Sequence, residues 1–84
     1  MMVRLMFFGW VREGVGAGED ALALDAPTPL AEVLDRVAAL SPAHAAALAE
    51  RDRLRFALNQ AMAGPEALVR PGDELAIFPP VTGG

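Results

Sequence analysis

Hydrophobic and polar positions change their period several times along this 84-residue chain, and each change marks an element. Residues 2–8, Met-Val-Arg-Leu-Met-Phe-Phe, are an apolar run ended by Gly9, which predicts a buried strand. Alternation puts Val3, Leu5 and Phe7 on one face and Arg4, Met6 and Phe8 on the other, and the arginine marks the second face as the wetter one. Trp10 to Gly18 contains Gly14, Gly16 and Gly18, so we expect a connection there, with at most a short helical turn around Val11-Arg12-Glu13. Those glycines do not follow the G-x-G-x-x-G phosphate-binding spacing, and no long helix follows them directly. Residues 20–25 alternate weakly and predict a short second strand, antiparallel to the first.

The period then lengthens. Thr28 before Pro29 predicts a helix N-cap with proline at the first helical position, where its missing N–H costs nothing. Leu30, Val33, Leu34, Val37 and Ala38 form the apolar stripe of an amphipathic helix, while Glu32, Asp35 and Arg36 fall off it. Ser41-Pro42 repeats the cap signal and opens a second, Ala-rich helical segment to about Glu50. Leu54 to Asn59 alternates again, with Leu54, Phe56 and Leu58 inward, and Ala61 to Ala63 is a brief extended piece. Leu68-Val69 precedes a turn at Arg70-Pro71-Gly72-Asp73, and residues 74–78 are the last strand, with Leu75 and Ile77 inward and Ala76 and Phe78 outward. Pro79 and Pro80 remove two backbone donors in succession, so the chain must leave the sheet there.

This order predicts an α+β fold: a mixed sheet of about four to five strands packed on one main helix, with a flexible C-terminal tail. A ubiquitin-like β-grasp fits best, because a ferredoxin-like fold needs a second helix where Asn59 to Asp73 carries Gly64, Pro65, Pro71 and Gly72. We place the domain at residues 1–78 and the extended tail at 79–84.

Composition narrows the function. The chain has no cysteine, hence no disulfide, thiol nucleophile or thiolate metal site. All 7 basic residues are arginine, which excludes a Schiff-base lysine and isopeptide chains through its own lysines. Against 11 acidic residues they leave a net charge of −4, which disfavours nucleic acid and suits a basic protein surface. No run approaches the roughly 18 apolar residues of a membrane span, and no leader pattern opens the chain, so a cytoplasmic protein is expected. His44, the sole histidine, has no neighbouring ligand set and reads as a surface helix residue. Ser41 has a capping explanation, and Asp73-Glu74 has ordinary turn chemistry. No triad, carboxylate pair or metal cluster emerges, and we expect no free-standing catalytic activity and no bound cofactor.

Two features remain. Gly83-Gly84 ends the sequence with residues lacking β-carbons, thin enough for a narrow active site, with the Gly84 carboxylate as the reactive group. Met6, Phe8, Phe78 and Met62 lie on the sheet face away from the helix. Loops folding over them, or the ordinary scatter of surface hydrophobes, would account for them blandly. Aromatic and Met side chains beside the tail exit nonetheless form the kind of surface that a docking patch needs.

Val3 to Phe8 followed by Val11-Arg12-Glu13, the internal Ala57-Leu58-Asn59-Gln60, the turn Arg70-Pro71-Gly72-Asp73-Glu74 and the ending Phe78-Pro79-Pro80-Val81-Thr82-Gly83-Gly84 together resemble the MoaD-type sulfur carriers, the small subunits of molybdopterin synthase. The resemblance spans essentially the whole chain, departing at Gly9-Trp10, at Gly14 and in the Ala-rich second helix. It implies that a ubiquitin-activating-enzyme-like adenylyltransferase adenylates Gly84 and that a sulfur donor protein then converts it to a thiocarboxylate. The glycyl adenylate and 1-thioglycine would be transient modifications. It further implies a heterotetramer with the synthase large subunit, in which sulfur passes to cyclic pyranopterin monophosphate to form the molybdopterin dithiolene. On this resemblance Gly83 and Gly84 are the reactive tail, Phe8, Met62 and Phe78 are hydrophobic contacts, and Pro79, Pro80, Val81 and Thr82 lead into the partner. A sulfur carrier for the thiamine thiazole, a ubiquitin-like protein modifier and a purely structural interaction module stay open as alternatives.

Overall fold

The computed structural model describes residues 1–80; Val81, Thr82, Gly83 and Gly84, on which the tail expectations fall, lie outside the described residues. The elements are β1 (Met2–Phe7), α1 (Gly9–Val15), β2 (Glu19–Ala23), β3 (Thr28–Pro29), α2 (Leu30–Ala38), α3 (Pro42–Ala47), a 3-10 turn (Arg51–Arg53), β4 (Arg55–Leu58), β5 (Ala61–Ala63), β6 (Leu68–Val69) and β7 (Glu74–Phe78). Five strands form one mixed sheet in the order β2-β1-β7-β4-β5, and β3 pairs β6 in a separate two-stranded ladder. β1 and β7 run parallel, and the other neighbours are antiparallel. This is the ubiquitin-like β-grasp arrangement, with the last strand at the centre of the sheet.

Strand parity decides the core. Val3, Leu5 and Phe7 from β1 and Leu75 and Ile77 from β7 are buried together with Phe56 of β4. The apolar stripe of α2, Leu30, Val33, Leu34 and Val37, is buried in the same cluster. Each fully buried aliphatic side chain of this kind contributes about 1.5 to 3 kcal/mol. The β4–β5 hairpin turns on Asn59 and Gln60, both at positive φ (51° and 70°), the geometry that a two-residue turn needs to match strand twist. Asn59 also ties this turn to the start of β7: its N–H donates to the Glu74 carbonyl at 2.8 Å, and its Oδ1 accepts from the Glu74 N–H at 3.0 Å.

The structure corrects the sequence reading in four places. Residues 9–15 form a helix where a connection was expected, because Val11 and Val15 fall four apart on its inner side and Gly14 admits α3 closely. A β-carbon on Gly14 would stand 3.1 Å from that of Ala47. Gly16 then ends α1 in the left-handed conformation, donating its N–H to the Arg12 carbonyl. Thr28-Pro29 is not a cap followed by a first helical turn. The pair adds to β6, Thr28 Oγ1 donates to the Ala26 carbonyl, and α2 begins at Leu30 with Pro29 in the N-cap position. Loop carbonyls replace the side-chain cap: the Leu30 N–H donates to Ala67 and that of Ala31 to Pro65. The Ala-rich helix stops at Ala47, short of Glu50.

His44 is the fourth correction. It is only 8% exposed and closes α3 onto β2. Ser41 caps α3 as predicted, accepting from the His44 N–H at 3.1 Å, and its Oγ also lies 2.7 Å from His44 Nδ1. Nε2 donates to Asp20 Oδ2 at 2.9 Å, and the ring stands edge-on to Phe7 with centroids 5.9 Å apart. Sequence periodicity missed this because the anchoring carboxylate lies 24 residues upstream. We predict that His44→Ala destabilises the domain by about 1 to 3 kcal/mol, the cost of removing a buried hydrogen-bonding group from its partners. Urea unfolding measures it, and an unchanged midpoint would refute the tether.

Candidate functional site

The sheet face opposite the core is built by the same alternation that builds the core. Its register sets one row across all five strands: Glu19 opposite Met6, Met6 opposite Ala76, Ala76 opposite Ala57, and Ala57 opposite Met62. In the next row Phe78 stands opposite Arg55. Phe8 follows β1 and donates its N–H to the Ile77 carbonyl at 3.2 Å, which brings it alongside the end of β7. Small alanines at the centre leave this face low between Met and Phe side chains. Phe8 is 44% exposed and Met62 67%, whereas Met6 and Phe78 are half-buried. The structure thus brings Met6, Phe8, Met62 and Phe78 onto one face, as parity predicts.

The exit of the chain is shaped by Gly9. This residue has φ +58°, and a β-carbon on it would come within 2.7 Å of Pro79 Cγ. The missing side chain therefore lets Pro79 seat against the β1–α1 junction, beside Phe8 and Phe78. Pro79 is half-buried there and Pro80 is exposed. From sequence, Gly9 was legible only as a strand terminator; its partner lies 70 positions away, and no local pattern marks it. The remaining site residues of the sequence reading, Val81, Thr82, Gly83 and Gly84, lie outside the described residues.

Charge borders this apolar face. Arg4, on the same side of β1, hydrogen-bonds Glu19 and lies 3.8 Å from Glu74. The hydrogen bond to Glu19 and the charge of that carboxylate raise the Arg4 pKa above its ordinary value. At the other border, a groove of about 440 Å³ runs between α2 and the β4–β5 hairpin, lined by Leu34, Phe56, Met62 and Pro65 with Arg51 and Arg55 at its edge. Among the described residues, no group of three or more His, Cys, Asp or Glu side chains could hold a metal ion. None of the described helices is long and apolar enough to cross a membrane. What this geometry offers is a surface for gripping and an exit for a chain end.

Known proteins share this plan. The ThiS family matches residues 5–84. The molybdopterin synthase sulfur carrier subunit of Escherichia coli is 42% identical over 83 residues, covering 99% of this chain and 100% of that protein. The protein of the same name from Haemophilus influenzae is 40% identical over 84 residues, covering 99% and 100%. Among solved structures, SAMP1 of Haloferax volcanii superposes with a TM-score of 0.81 at 26% identity over the whole of both chains.

The two faces of the sheet should respond oppositely to truncation. Ile77→Ala on the inner face is expected to cost about 2 to 5 kcal/mol of stability. Met62→Ala on the outer face should stay within about 0.5 kcal/mol. Urea denaturation of both variants checks this; comparable losses would show that the outer face belongs to the core.

Proposed function

The chain belongs to the ThiS family, and from that premise we propose that it is the sulfur-carrier subunit of a molybdopterin synthase, working through the carboxylate of Gly84. The observation that carries the proposal is its likeness, above 40% in one case and along almost the whole chain, to curated sulfur carrier subunits that it covers completely.

In the proposed cycle a ubiquitin-activating-enzyme-like adenylyltransferase joins the Gly84 carboxylate to the α-phosphate of ATP, with pyrophosphate leaving. A carboxylate is a poor acyl electrophile, and the adenylate makes AMP the leaving group. Sulfur that a donor protein supplies at the sulfide level displaces AMP, a C–S bond replaces the C–O bond to phosphate, and Gly84 becomes a 1-thioglycine thiocarboxylate. The large subunit then grips the outer face through Phe8, Met62 and Phe78. Pro79, Pro80, Val81 and Thr82 lead Gly83 and Gly84 into its active site. There the sulfur passes to cyclic pyranopterin monophosphate, water restores the Gly84 carboxylate, and repeated transfer completes the dithiolene. Domain 1–78 serves as the handle and residues 79–84 as the working part, in a cytoplasmic heterotetramer of small and large subunits.

A second reading, attachment to other proteins as a ubiquitin-like modifier, is favoured by the likeness to SAMP1, whose full name is small archaeal modifier protein 1. A thiamine-thiazole carrier would share the tail chemistry and differ in the precursor that consumes the sulfur. Persistent covalent adducts in lysate of the native host favour the modifier; consumption of the thiocarboxylate by a thiazole precursor favours the thiamine role.

Two outcomes test the main proposal. Deleting Gly84 should abolish sulfur transfer to the pterin precursor while leaving thermal unfolding unchanged, and intact-mass spectrometry of the wild-type chain should detect replacement of one oxygen by sulfur. Retained dithiolene synthesis by the truncated chain would contradict it. Phe8→Ala or Phe78→Ala should weaken large-subunit binding by about 1 to 3 kcal/mol, the scale of an aromatic anchor, as read by isothermal titration calorimetry.

A further inference from the structure

The arginines are not distributed evenly over the ion pairs. Arg4 is paired with Glu19 and Glu74, Arg36 with Glu32 at 2.8 Å, Arg51 with Asp35 at 2.7 Å and Arg53 with Glu50 at 3.6 Å. Arg12, Arg55 and Arg70 have no carboxylate partner among the described residues. Arg70 belongs to the turn before β7, at the end of the sheet away from the exit. The other two sit at the exit end, on opposite sides of the β1–β7 pair.

Their seats are specific. Arg12 shares a cleft of about 360 Å³ with Met6 and Phe8, and its guanidinium lies against Gly18, where an added β-carbon would stand 3.2 Å from the guanidinium carbon. The backbone of Gly18 thus forms the floor of this seat, and a side chain there would press the guanidinium outward by a few tenths of an ångström. Arg55 is the register partner of Phe78, and its Nη1 donates to the carbonyls of Leu54 at 2.9 Å and Asp52 at 3.3 Å. A carbonyl accepts the hydrogen bond without cancelling the charge. The carboxylates nearby are not ion-paired with these two side chains: Glu19, which lines the Arg12 cleft, is engaged by Arg4, and Glu13 and Asp52 pair with neither arginine.

We infer that Arg12 and Arg55 bracket the chain exit as a rim of guanidiniums without ion-pair partners among the described residues, and that this rim recognises carboxylates on the protein gripping the outer sheet face. An apolar centre with a charged rim is the anatomy of a protein interface, and arginine is enriched there. A nucleotide phosphate fits the placement less well, because the two guanidiniums border separate clefts on either side of Phe8 and Phe78 and do not converge on one concave site. The net charge of −4 would suit a basic partner, whereas the two guanidiniums at the exit offer it hydrogen-bond donors for carboxylates. This inference rests on the proposed function, since it names the chemistry of the partner that docks there.

The test measures association of the full-length chain with the molybdopterin synthase large subunit at low and high salt, using Arg12→Glu, Arg55→Glu and, as a control, Arg70→Glu. Arg12→Glu and Arg55→Glu should each slow association about tenfold at low ionic strength, with the deficit shrinking as salt screens it, while Arg70→Glu stays within about twofold. Circular dichroism melting verifies the fold, and Arg12→Gln and Arg55→Gln should give smaller losses of the same sign. Equal effects of all three charge reversals overturn the inference. So does normal large-subunit binding combined with a defect confined to Gly84 adenylation, which would assign the guanidiniums to phosphate. A wild-type chain that fails to bind the large subunit overturns the proposed function as well.

Discussion

The parallel pairing of β1 with β7, from Arg4 opposite Glu74 to Phe7 opposite Ile77, is the constraint on which the rest of the structure depends. Parallel neighbours cannot be joined by a hairpin, so most of the chain between them must serve as a crossover, and α2 is laid across the inner face in the process. Because the two strands point the same way, they end at the same edge of the sheet. The Phe8 amide bonds the Ile77 carbonyl there, and the bare backbone of Gly9 makes room for Pro79. The direction in which the chain leaves the domain is therefore a by-product of core formation.

The same two strands divide their residues between opposite duties. Val3, Leu5, Phe7, Leu75 and Ile77 are buried and drive folding, while Met6, Ala76 and Phe78 project the other way from the same backbone. Since β-carbons alternate strictly, the outer face can be shaped for a partner without repacking the inner one. Its position is nonetheless held to the core's accuracy, because the backbone that carries it is rigidly packed.

Whatever follows a period was legible in the sequence. Strand parity located the inner and outer residues of β1, β4 and β7, and the 3.6-residue stripe located α2. What escaped were features whose partners are distant in sequence. Trp10 to Gly18, with its three glycines, read as a connection holding at most a short helical turn, because the Gly14–Ala47 contact that completes α1 is tertiary. Thr28-Pro29 carries a genuine cap signal, yet a proline φ of −56° serves an extended residue equally well, and pairing with Leu68-Val69 decides between them. His44 looked like a surface residue in an Ala-rich helix, since neither Asp20 nor Phe7 is near it in the chain. Of the site, the apolar face was readable and the Gly9 seat and the unpaired arginines were not, because both depend on what is absent around a residue.

Docking and delivery are tied by covalent reach. Six residues from Pro79 span at most about 20 Å when extended, so any active site served by Gly84 must open within that distance of the face holding Phe8 and Phe78. Pro79 and Pro80 narrow the conformations of the first part of that path in the free chain, which lowers the entropy lost when a partner orders it. Under the proposed function, the gripped surface and the Gly84 carboxylate would act as one site with a limited reach: gripping the face would raise the local concentration of the chain end at the partner's active centre. On that proposal the tail would need few specific contacts of its own, and glycines, which offer none beyond the backbone, would suffice at its tip.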